Sequence, residues 1–221
     1  MLMAPDLAVL SQLVPVAAGL GARGRLTGAR AWVLAWCAIQ VAADLVALLL
    51  GRDGRSTQWI EYWATSLEGA IILWAISLWQ RQALARLTLR LAIPLFVIAF
   101  GVLVALGDPR GATPLAGPVY VMLALGAALY TLGTRGNGEA ESLWQSDWFW
   151  MCGGLTLFFG SAATLAPVGA VLAPGHPELV IRASTVKSLV EIVAYAALTI
   201  GALCPLPQPH TGASLSQASL A

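Results

Sequence analysis

From Thr57 to Gln80 the chain reads TQWIEYWATSLEGAIILWAISLWQ, with tryptophans near both ends and two carboxylates, Glu61 and Glu68, inside. At ~1.5 Å per residue a helix of this length crosses the ~30 Å hydrocarbon core of a bilayer. A carboxylate inside such a span costs several kcal/mol unless the fold supplies a partner. Any fold for this chain must therefore bring polar groups from other segments to Glu61 and Glu68.

The rest of the sequence shares this apolar character. Of 221 residues, 58% are hydrophobic and only 10% are charged, against about 25% charged in a soluble domain. The deficit means that most of the surface faces lipid rather than water. The net charge of +1 provides no basic field for nucleic acid. Cys37, Cys152 and Cys204 fall in or beside apolar runs without metal or redox spacing, and read as small buried hydrophobes. The N-terminal run has its arginines after the apolar stretch, the wrong order for a cleavable signal peptide and the right one for a retained first helix.

Seven runs have the length and hydropathy of membrane helices, so the sequence predicts an all-α, seven-transmembrane helix bundle over residues 1–204. They are Asp6–Ala22, Ala31–Leu50, Thr57–Trp79, Thr88–Gly107, Ala112–Leu132, Trp148–Leu172 and Leu179–Cys204. The first is weakened by Pro15, Gly19 and Gly21, and Pro94 predicts a kink in the fourth. No stretch alternates with the period of a barrel strand. Residues 205–221, rich in Pro, Ser and Gly, read as a disordered tail. Gly153, Gly154, Gly160 and Ser161 make the sixth run rich in small residues, as close helix packing requires.

Arginines set the orientation. Arg23, Arg25 and Arg30 precede the second run, Arg81, Arg86 and Arg90 follow the third, and Arg135 follows the fifth. The opposite side carries Arg52, Arg55, Arg110 and Arg182. The positive-inside rule then places the N-terminus outside and the C-terminus, with its tail, in the cytoplasm. Trp59, Trp63, Trp79, Trp144 and Trp148 fall near span ends, as an aromatic belt requires.

Within this topology Asp44, Glu61, Glu68, Arg182, Lys187 and Glu191 all fall in the outer half or at mid-depth. Asp44 and Glu61 lie ~9 and ~6 Å below the outer surface, Lys187 ~12 Å, and Glu68 and Glu191 ~17–18 Å. Glu61 and Glu68 share one helix face, as do Lys187 and Glu191. Complementary charges on the third and seventh helices predict a cross-helix ion pair, with Lys187 on Glu68 and Glu61 as the alternative acceptor. Two readings follow: an ion-pair lock holding the bundle in register, or an outward-facing polar cavity, built by helices 2, 3 and 7, that binds a ligand, ion or proton. His176 and His210 fall in a loop and the tail, and no metal site is expected.

The segment QWIEYWATSLEGAII, with its aromatic entry and Leu67-Glu68, resembles the third helix of an uncharacterised group of bacterial seven-helix integral membrane proteins. SDWFWMCGGLTLFFGSAATL is similar to their sixth-helix pattern in Phe149-Trp150, Gly154, Phe158-Phe159 and Gly160. Genes of that group often lie near sensor histidine kinases, so the resemblance implies a signalling association and a sensor kinase as partner. Trp59, Glu61 and Tyr62 with Lys187 also resemble microbial rhodopsins and heliorhodopsins, which implies retinal on the lysine. Here, however, Ala183 replaces the usual polar partner and Lys187 lies nearer the start of its helix.

The sequence thus points to a receptor-like or signalling-associated membrane protein without a cofactor, with the lipid bilayer as its first partner. A proton- or ion-coupled transporter is the alternative, though no repeat relates the halves. An enzyme using Glu61, Glu68 and Asp44 as acid and base on a lipid is the third class. It lacks support from any HExxH, GxSxG or Walker motif.

Overall fold

The computed structural model describes residues 4–22, 26, 28–52, 58–106, 116–136, 143–172 and 177–205. Thr57, Arg23, Arg25, Arg55, Arg110, Glu139, Glu141, His176 and the segment 206–221 with His210 lie outside the described residues. The side chains of Trp59, Glu61 and Tyr62 also lie outside them, although their backbone is helical. Among the described residues the chain is all-helical, with no strand.

The helices are α1 (Ala4–Ser11), α2 (Leu13–Gly21), α3 (Ala29–Arg52), α4 (Gln58–Trp79), α5 (Ala83–Leu106), α6 (Ala116–Gly136), α7 (Asp147–Leu172) and α8 (Pro177–Leu203). A short 3₁₀ turn, Leu143–Gln145, leads into α7. α1 and α2 are halves of the first apolar run, interrupted at Gln12. Pro15 explains the interruption, because it has no N–H to offer the carbonyl four residues earlier. By length and composition α3, α5, α6, α7 and α8 can each cross a membrane, while Leu7–Gly21 and Trp63–Trp79 form shorter apolar stretches.

α7 and α8 pack together most extensively; α4 lies between α3 and α5, and α6 joins α7 to α4. The core runs through Trp36, Ile72, Ile76, Met151, Phe159 and Leu198, all buried. Outside it, the helices present large apolar side chains outward, as lipid-facing helices do. On α5, Leu84, Leu91, Leu95, Ile98 and Leu106 are each at least 61% exposed. An apolar exterior of this extent is what a bilayer covers.

A set of polar contacts collects the arginine-bearing helix ends at one end of the bundle. Arg30 at the start of α3 reaches Asp147 at the start of α7 and the carbonyl of Cys204 just past α8. Gln80 after α4 donates to Thr131 near the end of α6 (2.6 Å), and Arg86 near the start of α5 donates to the Gln80 carbonyl (2.7 Å). Arg135 stacks over Trp148, with 5.2 Å to the ring centroid, and Arg90 over Trp74, with 4.7 Å. α3 to α8 therefore alternate in direction, and Arg30, Arg86, Arg90 and Arg135 share one end, as their spacing predicts.

Several local expectations change. α5 begins at Ala83 rather than Thr88, while α5 and α7 run through Pro94 and Pro167 as the predicted spans did. Hydropathy stops at the first arginines, but a helix does not, since arginine heads snorkel outward from a helical stem. Trp63 and Trp144 are exposed, as a belt requires, but Trp79 and Trp148 turn inward and are buried. Cys37, Cys152 and Cys204 are free thiols, all buried.

Candidate functional site

Glu68 sits near the middle of α4, ten residues from one end and eleven from the other, so ~15 Å from either. It is 8% exposed. Its Oε2 accepts from Gln40 Nε2 of α3 (3.5 Å) and from the Tyr120 hydroxyl of α6 (3.4 Å). Tyr120 in turn accepts from Trp36 Nε1 of α3 (3.1 Å). Gln40 Oε1 accepts from the Tyr195 hydroxyl of α8 (3.0 Å). One hydrogen-bonded chain therefore runs from α8 through α3 and α4 to α6 and back to α3.

Local geometry makes this possible. Trp36, Gln40 and Asp44 are one turn apart on α3 and form a stripe, as do Lys187, Glu191 and Tyr195 on α8. A long helical side chain leans toward the N-terminus of its own helix. Tyr195 on α8 thus leans toward the level of Gln40, away from the arginine end. An aromatic shell closes the cluster: Trp36 meets Phe158 edge-on at 5.2 Å, Tyr120 meets Phe159 at 5.3 Å, and Phe158 meets Tyr195 at 5.8 Å.

The other charged residues are distributed differently. Lys187 Nζ bonds Glu191 Oε1 at 2.5 Å, one turn along its own helix. The expected cross-helix pair between Lys187 and Glu68 is not formed. Its physical basis was that a mid-span carboxylate needs a partner; the structure meets that need with neutral donors. Lys187 is about one-third exposed and Glu191 is mostly buried. Asp44 and Arg182 are exposed. Glu61, the alternative acceptor, has its side chain outside the described residues. A groove of about 220 Å³ between α5 and α6 is lined by apolar residues such as Leu95, Phe96, Phe100 and Leu123, and none of the six charged residues lines it. Among the described residues no group of three His, Cys, Asp or Glu is placed to hold a metal ion.

Reasoning from charge missed Trp36, Gln40, Tyr120 and Tyr195, because all four are neutral. Gln40 and Tyr195 carry a signal in their i, i+4 spacing to Asp44 and Glu191; Trp36 and Tyr120 have no charged residue at that spacing. It also missed the second polar centre. Arg30, only 2% exposed, reads in sequence as a loop arginine. It lies instead in the first turn of α3 and donates from Nε to Asp147 (2.6 Å), from Nη1 to the Cys204 carbonyl (2.7 Å) and from Nη2 to the Pro205 carbonyl (3.2 Å). These carbonyls lie at a helix end, where no intrahelical donor remains.

No protein-family model, curated protein or solved structure matches the chain. The class of protein therefore rests on its helices: all-α among the described residues, with five apolar enough to cross a membrane.

Proposed function

We propose that the chain is a receptor-like, multi-pass membrane protein that crosses a bacterial inner membrane seven times and uses the Glu68 network as its sensing centre. One observation carries this reading. A mid-span carboxyl is held by neutral donors from two neighbouring helices, and a third helix joins through Gln40. An arrangement built only for stability has no need of an ionisable group here, because an apolar side chain costs less at that depth. A carboxyl tied to several helices lets one chemical event act on all of them. The arginine-bearing end is the cytoplasmic one by the positive-inside rule. A partner such as a sensor histidine kinase would read the bundle there.

Two measurements test this reading. Reporter or cysteine-accessibility probes after Arg55, Asn137 and Gly212 are expected to place Arg55 outside and the other two in the cytoplasm. Cytoplasmic labelling at Arg55 would reverse the topology. Hydrogen–deuterium exchange in lipid nanodiscs is expected to show that Glu68→Gln redistributes protection, altering the arginine end of α4 and α6 as well as the site. A Glu68→Gln protein that is uniformly looser, with no redistribution, would make Glu68 a structural group and overturn the receptor reading.

A further inference from the structure

We infer that the ligand of the Glu68 centre is a proton exchanged with the Lys187 end of the bundle, and that the path ends at Glu68 rather than crossing to the arginine end. This rests on the proposed receptor reading and names what that receptor senses.

The polar groups are distributed to one side of Glu68. Toward the Lys187 end, α3 contributes Gln40 and exposed Asp44, and α8 contributes Tyr195, Glu191 and partly exposed Lys187. The remaining faces around Glu68 add Trp36 and Cys37 from α3, Tyr120 from α6 and the Phe96 ring of α5, which packs on Tyr120 and over Gly69. The α5 cation Arg90 is engaged with Trp74 instead. Toward the arginine end the character changes. Ile72, Ile76, Met151, Leu155, Leu198 and Ala202 are buried and apolar. Ser77 turns its hydroxyl onto the Trp74 carbonyl of its own helix. Among the described residues, the next hydrogen bond shown between helices is Gln80 to Thr131, twelve residues and ~18 Å along α4 from Glu68. Polar side chains thus continue from Glu68 toward the Lys187 end, and buried apolar ones fill the way to the arginine end.

The hydrogen bonds give the proton something to change. Both bonds at Glu68 Oε2 end on it as acceptor, an arrangement the ionised carboxylate satisfies. Uptake of one proton from water converts the carboxylate to a carboxylic acid, with no other bond made or broken, and release reverses it. The acid carries an O–H donor. With the O–H on Oε2 it donates to Gln40, which turns its amide oxygen toward Glu68 and so withdraws the acceptor that Tyr195 uses. The reversal passes to α8 through Tyr195 and to α6 through Tyr120. The chain of donors thus has two discrete arrangements, the property a switching element requires.

The test uses the full chain in oriented proteoliposomes, with infrared difference spectra recorded after a pH step on one side. A carboxyl band is expected to respond to a step at the Lys187 side, to vanish in Glu68→Gln, and to respond more slowly in Glu191→Gln and Tyr195→Phe. Vesicles under an imposed pH gradient are expected to leak no faster with the protein than without it. A band that survives Glu68→Gln, equal response to a step on the arginine side, or added proton flux would overturn the inference. Redistribution of exchange by Glu68→Gln together with insensitivity to outer pH would sink the proton as ligand and leave the receptor reading standing. Loss of the redistribution as well would sink both.

Discussion

Arg30→Met is expected to cost more stability than any other single charge removal in the described bundle. The guanidinium is 2% exposed and ties three separate points: the Asp147 carboxylate at the head of α7 and the carbonyls of Cys204 and Pro205 at the end of α8. Methionine fills similar volume but donates nothing. A carboxylate and two carbonyls then lose their donor, and breaking a buried pair from one side costs about 3–5 kcal/mol. Lys187→Met should cost far less, because that side chain is about one-third exposed and its partner lies on the same helix, so no two helices separate. In detergent, thermal unfolding should rank Arg30→Met well below Lys187→Met. The double change Arg30→Met with Asp147→Asn should cost less than the two single costs added, because it removes the unpaired carboxylate. Equal shifts for Arg30→Met and Lys187→Met, or strict additivity in the double change, would show that the Arg30 cluster does not clamp α3 to α7 and α8.

The contrast between these two residues shows what the sequence carries and what it does not. Helix positions were legible because a helix surrounded by lipid and other helices must be apolar on nearly every side. Long apolar runs therefore announce themselves without any knowledge of packing. The weakness of the first run was legible from Pro15, though its division at Gln12 was not, and the alternation of the arginines was legible from loop spacing. Helix ends were less legible, as α5 shows: Arg86 and Arg90 look like loop residues to a hydropathy window but lie within the helix. The partner of Glu68 was not legible at all. That a mid-span carboxyl needs partners follows from solvation, but their identity depends on the rotation of four helices about their axes. Sequence reasoning matched charge with charge and chose Lys187. The fold instead brought Gln40 and Tyr120 to Glu68 and left Lys187 with Glu191. Arg30 failed for the related reason that burial of a terminal turn is set by what folds over it, here the end of α8.

Gly154→Ala and Gly201→Ala are expected to loosen the α7–α8 pair, while Gly153→Ala leaves it intact. The small-residue content of α7 announced close packing without saying which glycine mattered. A Cβ at Gly154 would lie 2.8 Å from the Ala194 carbonyl oxygen and 2.9 Å from Leu198 Cγ. At Gly201 it would lie 2.6 Å from Met151 Cγ and 3.2 Å from both the Asp147 oxygen and the Met151 nitrogen. Side chains can turn aside, but those backbone atoms belong to the facing helix and move only if the helices part. Overpacking of this kind costs about 1–3 kcal/mol. At Gly153 a Cβ meets nothing within 4 Å, so alanine there adds its helix propensity of about 1 kcal/mol without a clash. The three variants share a chemistry and differ only in what faces them. Parting α7 from α8 at Gly201 also shifts Asp147, so Gly201→Ala should be less harmful in an Arg30→Met background than in the natural chain. Thermal shifts measured for all three glycines and for that double change decide the matter. If Gly153→Ala destabilises as much as Gly154→Ala, the close approach of α7 to α8 at Ala194 is wrong, and with it the geometry that brings Asp147 to Arg30.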